Sequence, residues 1–275
     1  RDFEAEGAAM NPYVPYSKPD YVIIDYRAGN EIINYLNKMK IEVIKTVRCD
    51  DLQEPVNGHP DMVIHPVDYK TVVAAPNVYD YYKNILELKG IKVIKGGKTL
   101  SRNYPEDIAY NVARIGRYAV HNTKHTDQVL KYYLEKGGVE FIHVNQGYAK
   151  CSMAALGDSK AVTSDLQIHE KLKSHNIDCM YINPEVVLLE GYNHGFIGGC
   201  AGLINENIFL SSGKILDENI LNTLKKFIRS AGYIYEEASD RQIIDLGSLI
   251  PICTDATTTV QPPCKRGVTE WSFYH

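Results

Sequence analysis

No hydrophobic stretch in this chain approaches the roughly 18 residues that a membrane-spanning helix requires, so no membrane partner is expected. Basic excess is missing too. Its 30 Lys and Arg face 34 Asp and Glu, a formal net charge of −4, which leaves no positive field for a phosphate backbone and argues against nucleic acid. Cysteine is scarce and unpatterned: six residues, without a CxxC pair. That usage fits reduced thiols rather than a disulfide framework or a zinc site, and it points to the cytoplasm. Residues 1–7 (RDFEAEG) contain acids and no apolar core, so they do not match a secretory signal. What is present, 44% apolar and 23% charged residues, is the composition of an average soluble globular chain.

Within this ordinary composition lies a repeat, returning roughly every 40 to 50 residues. Residues 61–65, 107–111, 150–155 and 198–204 have the apolar content of strands. Each leads through turn residues to a second strand, at 70–75, 117–121, 160–163 and 207–211, as in a β-hairpin. A helical pattern follows every hairpin. It spans 78–89 up to Gly90, 126–136 up to Gly137, 166–174 behind the N-cap candidate Asp165, and a stretch from the cap Asp217 to Gly232. A third strand then closes each unit, at 91–94, 139–144, 177–182 and 233–235. The unit is β-β-α-β, four times over.

The ends supply a fifth, split copy. Strand 21–25, helix 30–40 and strand 41–44 form a unit lacking its first strand, and 242–246 is a first strand lacking its unit. The fragments fit if the chain closes a ring, which protects sheet edges. Residues 1–18 and 253–275, the latter holding the single Trp271, show no amphipathic period and are expected to be extensions of a single domain at 19–252.

Five such units resemble the pentein fold, a five-bladed α/β propeller with pseudo-fivefold symmetry. The local sequences HPDM (59–62), YPEDIAYN (104–111), QGYAKC (146–151) and GFIGG (195–199) are similar to those of an uncharacterised bacterial branch of that superfamily. Its catalytic members, the guanidino-group-modifying enzymes, imply a Cys, a His and carboxylates in a central channel. The thiolate attacks a guanidinium carbon, an amine leaves, and water or a second amine resolves the thiouronium. Carboxylates suit a planar cation, and a His can protonate the leaving amine. The superfamily also contains a ribosome anti-association factor without catalysis, so a non-catalytic module binding a macromolecule, an amino acid or a polyamine stands as the alternative.

Strand alternation places Asp61, Val63 and His65 on one face together with Asp107, Ala109, Asn111 and Cys151. Cys151 is therefore the expected nucleophile and His65 the expected acid/base, with Asp61, Asp107 and Asn111 orienting a small cationic guanidino or amidine ligand. In the arginine-modifying members the nucleophile belongs to the last unit and the His to a middle one, which keeps Cys200 open as the rival. His59 and His194, each in a turn, are lesser candidates. Asp61 and His65 on a strand with His59 before Pro60 converge poorly on a metal, and neither metal nor cofactor is expected.

Overall fold

The computed structural model describes residues 10–254; the outer parts of the two expected extensions, residues 1–9 and 255–275 with Trp271, lie outside the described residues. Near the N-terminus β1 (Tyr21–Ile24), α1 (Asn30–Lys38) and β2 (Glu42–Lys45) form a partial unit. Four complete units follow. The first is α2 (Pro60–Val63), β3 (Ile64–Asp68), β4 (Thr71–Ala74), α3 (Tyr79–Leu86) and β5 (Lys92–Lys95). The second is β6 (Ala113–Ile115), β7 (Tyr118–His121), α4 (Gln128–Lys136) and β8 (Glu140–His143). The third contains α5 (Ala149–Ser152), β9 (Met153–Leu156), β10 (Lys160–Thr163), α6 (Leu166–Ser174) and β11 (Asp178–Tyr181). The fourth contains α7 (Ile197–Cys200), β12 (Ala201–Leu203), β13 (Ile208–Ser211), α8 (Glu218–Ser230) and β14 (Ile234–Glu237). Finally β15 (Ile250–Ile252) returns to β1.

These strands build five three-stranded sheets of one topology. In each, the middle strand is antiparallel to one neighbour and parallel to the other, as in β3-β4-β5 and β15-β1-β2. The parallel pair requires a crossover, and the helix between the two strands supplies it. Middle strands share one burial pattern, three buried residues after a half-buried first. Their continuous apolar runs follow from being covered on both faces. Each long helix buries two residues four apart: Ile32 and Leu36, Tyr82 and Leu86, Leu130 and Leu134, Ile168 and Leu172, Leu224 and Ile228. That is the one-stripe geometry of a helix lying on a sheet. Asp127, Asp165 and Asp217 cap α4, α6 and α8 by accepting backbone N–H bonds, each worth about 1 kcal/mol.

The first strands differ from expectation. In units one, three and four the residues before the strand form a single buried helical turn (α2, α5, α7), so β3, β9 and β12 begin at Ile64, Met153 and Ala201. Pro60 occupies the first position of α2, where its fixed φ suits a helix. In unit two, β6 begins at Ala113 rather than Asp107. The split unit's first strand is 250–252; Gln242 and Ile244, expected inside it, make only isolated bridges to Lys214 and Leu188. The period-2 alternation that grouped Asp61 with His65 therefore does not apply across Asp61–Val63.

The inner part of the expected N-terminal extension packs into the molecule. Tyr13 and Asn11 are buried, Tyr69 Oη donates to the Val14 carbonyl, and the fully buried Arg114 donates to the Met10 carbonyl. No described helix is long and apolar enough to cross a membrane.

Candidate active site

The residues just before the first strands meet one another. Cys151, third residue of α5, is buried, and its Sγ accepts a hydrogen bond from Asn111 Nδ2 at 3.1 Å and donates to Asp61 Oδ2 at 3.1 Å. Asn111 Oδ1 accepts the backbone N–H groups of Lys150 and Cys151, at 2.8 and 3.1 Å, which fixes the amide opposite the sulfur. Ser248 Oγ approaches Asp61 Oδ2 at 2.6 Å and receives Lys150 Nζ at 2.9 Å. Lys150 Nζ also donates to the Gly198 carbonyl and lies 4.9 Å from the Tyr13 ring centroid. A buried chain thus runs Lys150, Ser248, Asp61, Cys151, Asn111, with residues from four units.

Burial, followed by the charges of Asp61 and Asp245, pushes the Cys151 thiol well above its usual pKa, while the Asn111 bond works in the opposite direction. Burial lowers Lys150. The resting group is consequently a thiol, consistent with its donating to Asp61. A cation placed beside it would favour the thiolate. Asp61 Oδ1 is buried without a hydrogen-bond partner, an acceptor available to such a cation.

His59, not His65, is the imidazole beside the sulfur. One donor atom each from His59, Asp61 and Cys151 lie within 4.8 Å of one another. His59 is 1% exposed and neither ring nitrogen has a hydrogen bond. Its Nδ1 is 3.7 Å from Asp245 Oδ1 and its Nε2 4.0 Å from Asp25 Oδ2. Glycines make this slot. A Cβ on Gly247, whose φ is +65°, would sit 2.2 Å from His59 Cβ, and one on Gly199 would sit 2.0 Å from Asp245 Oδ1. Asp245 is held by the N–H groups of Phe196 and Gly247, both at 2.9 Å. Asp25 receives both the Nε and the Nη2 of Arg27. Burial raises the pKa of Asp245, and the neighbouring His59 lowers it.

A cavity of about 240 Å³ opens on Cys151, His59 and Asp245, walled by Met62, Tyr148, Leu189 and Phe196 among others. Asp107 reaches it only through Tyr148, whose hydroxyl donates to Asp107 Oδ2 at 2.6 Å; the other oxygen of Asp107 is buried without a partner, and burial raises its pKa. His194 also lines the cavity. His65 is fully buried and does not line the cavity; its Nδ1 is 3.4 Å from Tyr13 Oη, and burial lowers its pKa well below the usual value. Cys200 Sγ bonds the Ile197 carbonyl of its own helical turn at 3.3 Å and packs in an apolar cluster.

The structure therefore brings together Cys151, Asp61 and Asn111, places Asp107 one tyrosine away, and leaves His65 on the side covered by Tyr13. Sequence reasoning misses Asp245, which falls inside the expected first strand at 242–246, and Ser248, which falls just beyond it. Their signal was positional: like Asp61, Asn111 and Cys151, they stand within a few residues of a first strand. A thiol, an imidazole and a carboxylate this close form a donor set of the kind zinc takes. The same three groups also serve nucleophilic chemistry.

The chain belongs to the family of unknown function DUF6873, whose model matches residues 23–250. No curated protein matches it. Among solved structures it is similar to SxtG, an amidinotransferase of the saxitoxin biosynthetic pathway from Microseira wollei, with a TM-score of 0.53, 15% identity, and coverage of 83% of this chain and 92% of that one. It is likewise similar to DDAH from Pseudomonas aeruginosa in complex with citrulline (TM-score 0.53, 12% identity, 80% and 91% coverage). A third is agmatine deiminase of C. jejuni with substrate bound (TM-score 0.52, 11% identity, 92% and 98% coverage). At these identities the likeness is one of fold. The fold is that of the penteins.

Proposed function

We propose that this protein is an enzyme acting on a guanidino or amidine C–N bond of a small cation, with Cys151 as nucleophile. The observation that carries the proposal is the Cys151 thiol at a cavity, held between Asp61 and Asn111, with a buried His59 beside it that is flanked by Asp245 and Asp25 and free of hydrogen bonds. The fold neighbours named as amidinotransferase, DDAH and agmatine deiminase support the reaction class. A non-catalytic module would have a channel filled by side chains, and the cavity at Cys151 speaks for the enzyme. In this reading the five sheets close into a five-bladed ring, one domain over 19–252. Five free cysteines among the described residues support a reducing, cytoplasmic setting.

The chemistry follows from the groups present. The cation's N–H groups bind the free oxygen of Asp61, with Asp245 and the Asp107–Tyr148 pair adding negative potential. Its positive charge lowers the thiol pKa, and the proton passes to His59, directly after a small rotation or through one water. The Sγ lone pair forms a bond to the amidine carbon, and the C–N bond to the leaving amine breaks as His59 returns the proton to that nitrogen. The S-linked thiouronium is then attacked by water or an acceptor amine, which gives a proton to His59; the C–S bond breaks and the thiol is restored. Hydrolysis gives a ureido or amide product and the amine.

Converting Cys151 to Ala should abolish release of ammonia or amine from guanidino compounds while leaving the fold intact by circular dichroism. Release undiminished in that variant would remove Cys151 from the mechanism.

A further inference from the structure

The walls of the cavity narrow the substrate, if the C–N bond reading above holds. Val56, Met62, Leu189 and Phe196 and the rings of Tyr148 and Tyr192 make most of its surface. Among the described residues its polar groups are Asp245, Asn193, Cys151 and two imidazoles, and no described Lys or Arg lines it. Of the basic groups near the sulfur, Lys150 is committed to Ser248, the Gly198 carbonyl and the Tyr13 ring. Arg114 is fully buried against the Met10 and Val67 carbonyls. His194 shares its Nδ1 with the Gly195 carbonyl.

An amino-acid substrate carries a carboxylate at the end opposite its guanidinium. Here that carboxylate would lose water against leucine and aromatic carbon without a cation to receive it, an unfavourable exchange. An apolar or aromatic body instead gains from burial, and its cationic head gains from the tyrosine faces and carboxylates at the sulfur end. We infer that the substrate is a carboxylate-free amidine or guanidine bearing an apolar or aryl body, rather than an arginine-like amino acid. Asn193 is the neutral polar group available for a hydroxyl or amide on that body.

Binding to the full-length Cys151→Ala protein tests this by calorimetry with four probes: phenylguanidine, hexylguanidine, agmatine and L-arginine. The two apolar compounds should bind at least about tenfold more tightly than L-arginine. Arginine binding as well as phenylguanidine, or no binding by either apolar compound, overturns the inference. A Leu189→Lys substitution supplies the missing cation and should shift the phenylguanidine-to-arginine preference by about tenfold toward arginine; an unchanged preference counts against it. Turnover by the unsubstituted protein separates the two levels. Apolar probes that bind but never react leave the substrate class standing and sink the catalytic reading. Arginine processed in preference to the apolar probes does the reverse.

Discussion

Two cysteines stand in the same kind of buried helical turn in neighbouring units, Cys151 in α5 and Cys200 in α7, and their sulfurs meet different hydrogen-bond partners. Cys151 holds the third position, equivalent to Met62 and Gly199; Cys200 holds the fourth, equivalent to Val63 and Ser152. One residue along a helix is a rotation of about 100°. That rotation takes Cys151 to Asp61, Asn111 and the cavity, and sends Cys200 into an apolar cluster against the carbonyl of Ile197. In α7 the third position is Gly199, and its missing side chain is where Asp245 passes. The lesson is that a repeat offers similar positions before its first strands, and chemistry occupies those whose side chains converge on one another.

The largest test of that contrast is on activity. Cys151→Ala should lower turnover at least about a thousandfold, whereas Cys200→Ala should stay within a factor of about two, measured as kcat on a common amidine. Comparable losses in both would erase the distinction. The two imidazoles sharpen it next. His59→Gln should cost between about a hundredfold and ten-thousandfold in kcat, and His65→Gln should leave kcat nearly unchanged while lowering the melting temperature, because His65 contacts Tyr13 and not the cavity. A pH titration of stability probes the scaffold behind Tyr148. His121 is fully buried, bonded to Thr126 and to the Gly147 carbonyl, and burial lowers its pKa from 6.5 to about 4. Below pH 6.5 the unfolded chain takes up the proton that the folded chain refuses. His121 thus favours the fold above pH 6.5, and this contribution of about 3 kcal/mol is lost as the pH falls from 6.5 toward 4. A His121→Gln variant should flatten the unfolding free energy over that window; an unaltered slope would assign the acid sensitivity elsewhere. The smallest effect is structural: Cys200→Ala removes one buried sulfur and should destabilise by about 1 kcal/mol in a denaturant titration.

The repeat itself was legible, including all five middle strands, the helices and the caps Asp165 and Asp217, because strongly amphipathic helices and buried apolar runs carry their own period. The turns α2, α5 and α7 were not. Their residues are all buried and four residues are too few to show a helical period, so each turn looks like the start of the strand that follows. That one confusion explains the expectation of His65: strand alternation does not run from Asp61 to His65 through a helical turn. Cys151, Asp61 and Asn111 still fell together because each lies just before a first strand. His59 was visible as a residue before Pro60, but its slot depends on Gly247 and Asp245 from the far end of the chain, a contact that no local pattern encodes.

The most direct test of Cys151 as the nucleophile is covalent capture with a chloroacetamidine, whose amidinium mimics the substrate head and whose carbon loses chloride to an attacking thiolate. Peptide mass spectrometry of the native protein should find the acetamidine adduct on Cys151 alone, formed more slowly when phenylguanidine is present and absent from Cys151→Ala. Modification of Cys200 in preference to Cys151, or labelling of Cys151 that phenylguanidine does not slow, would contradict it.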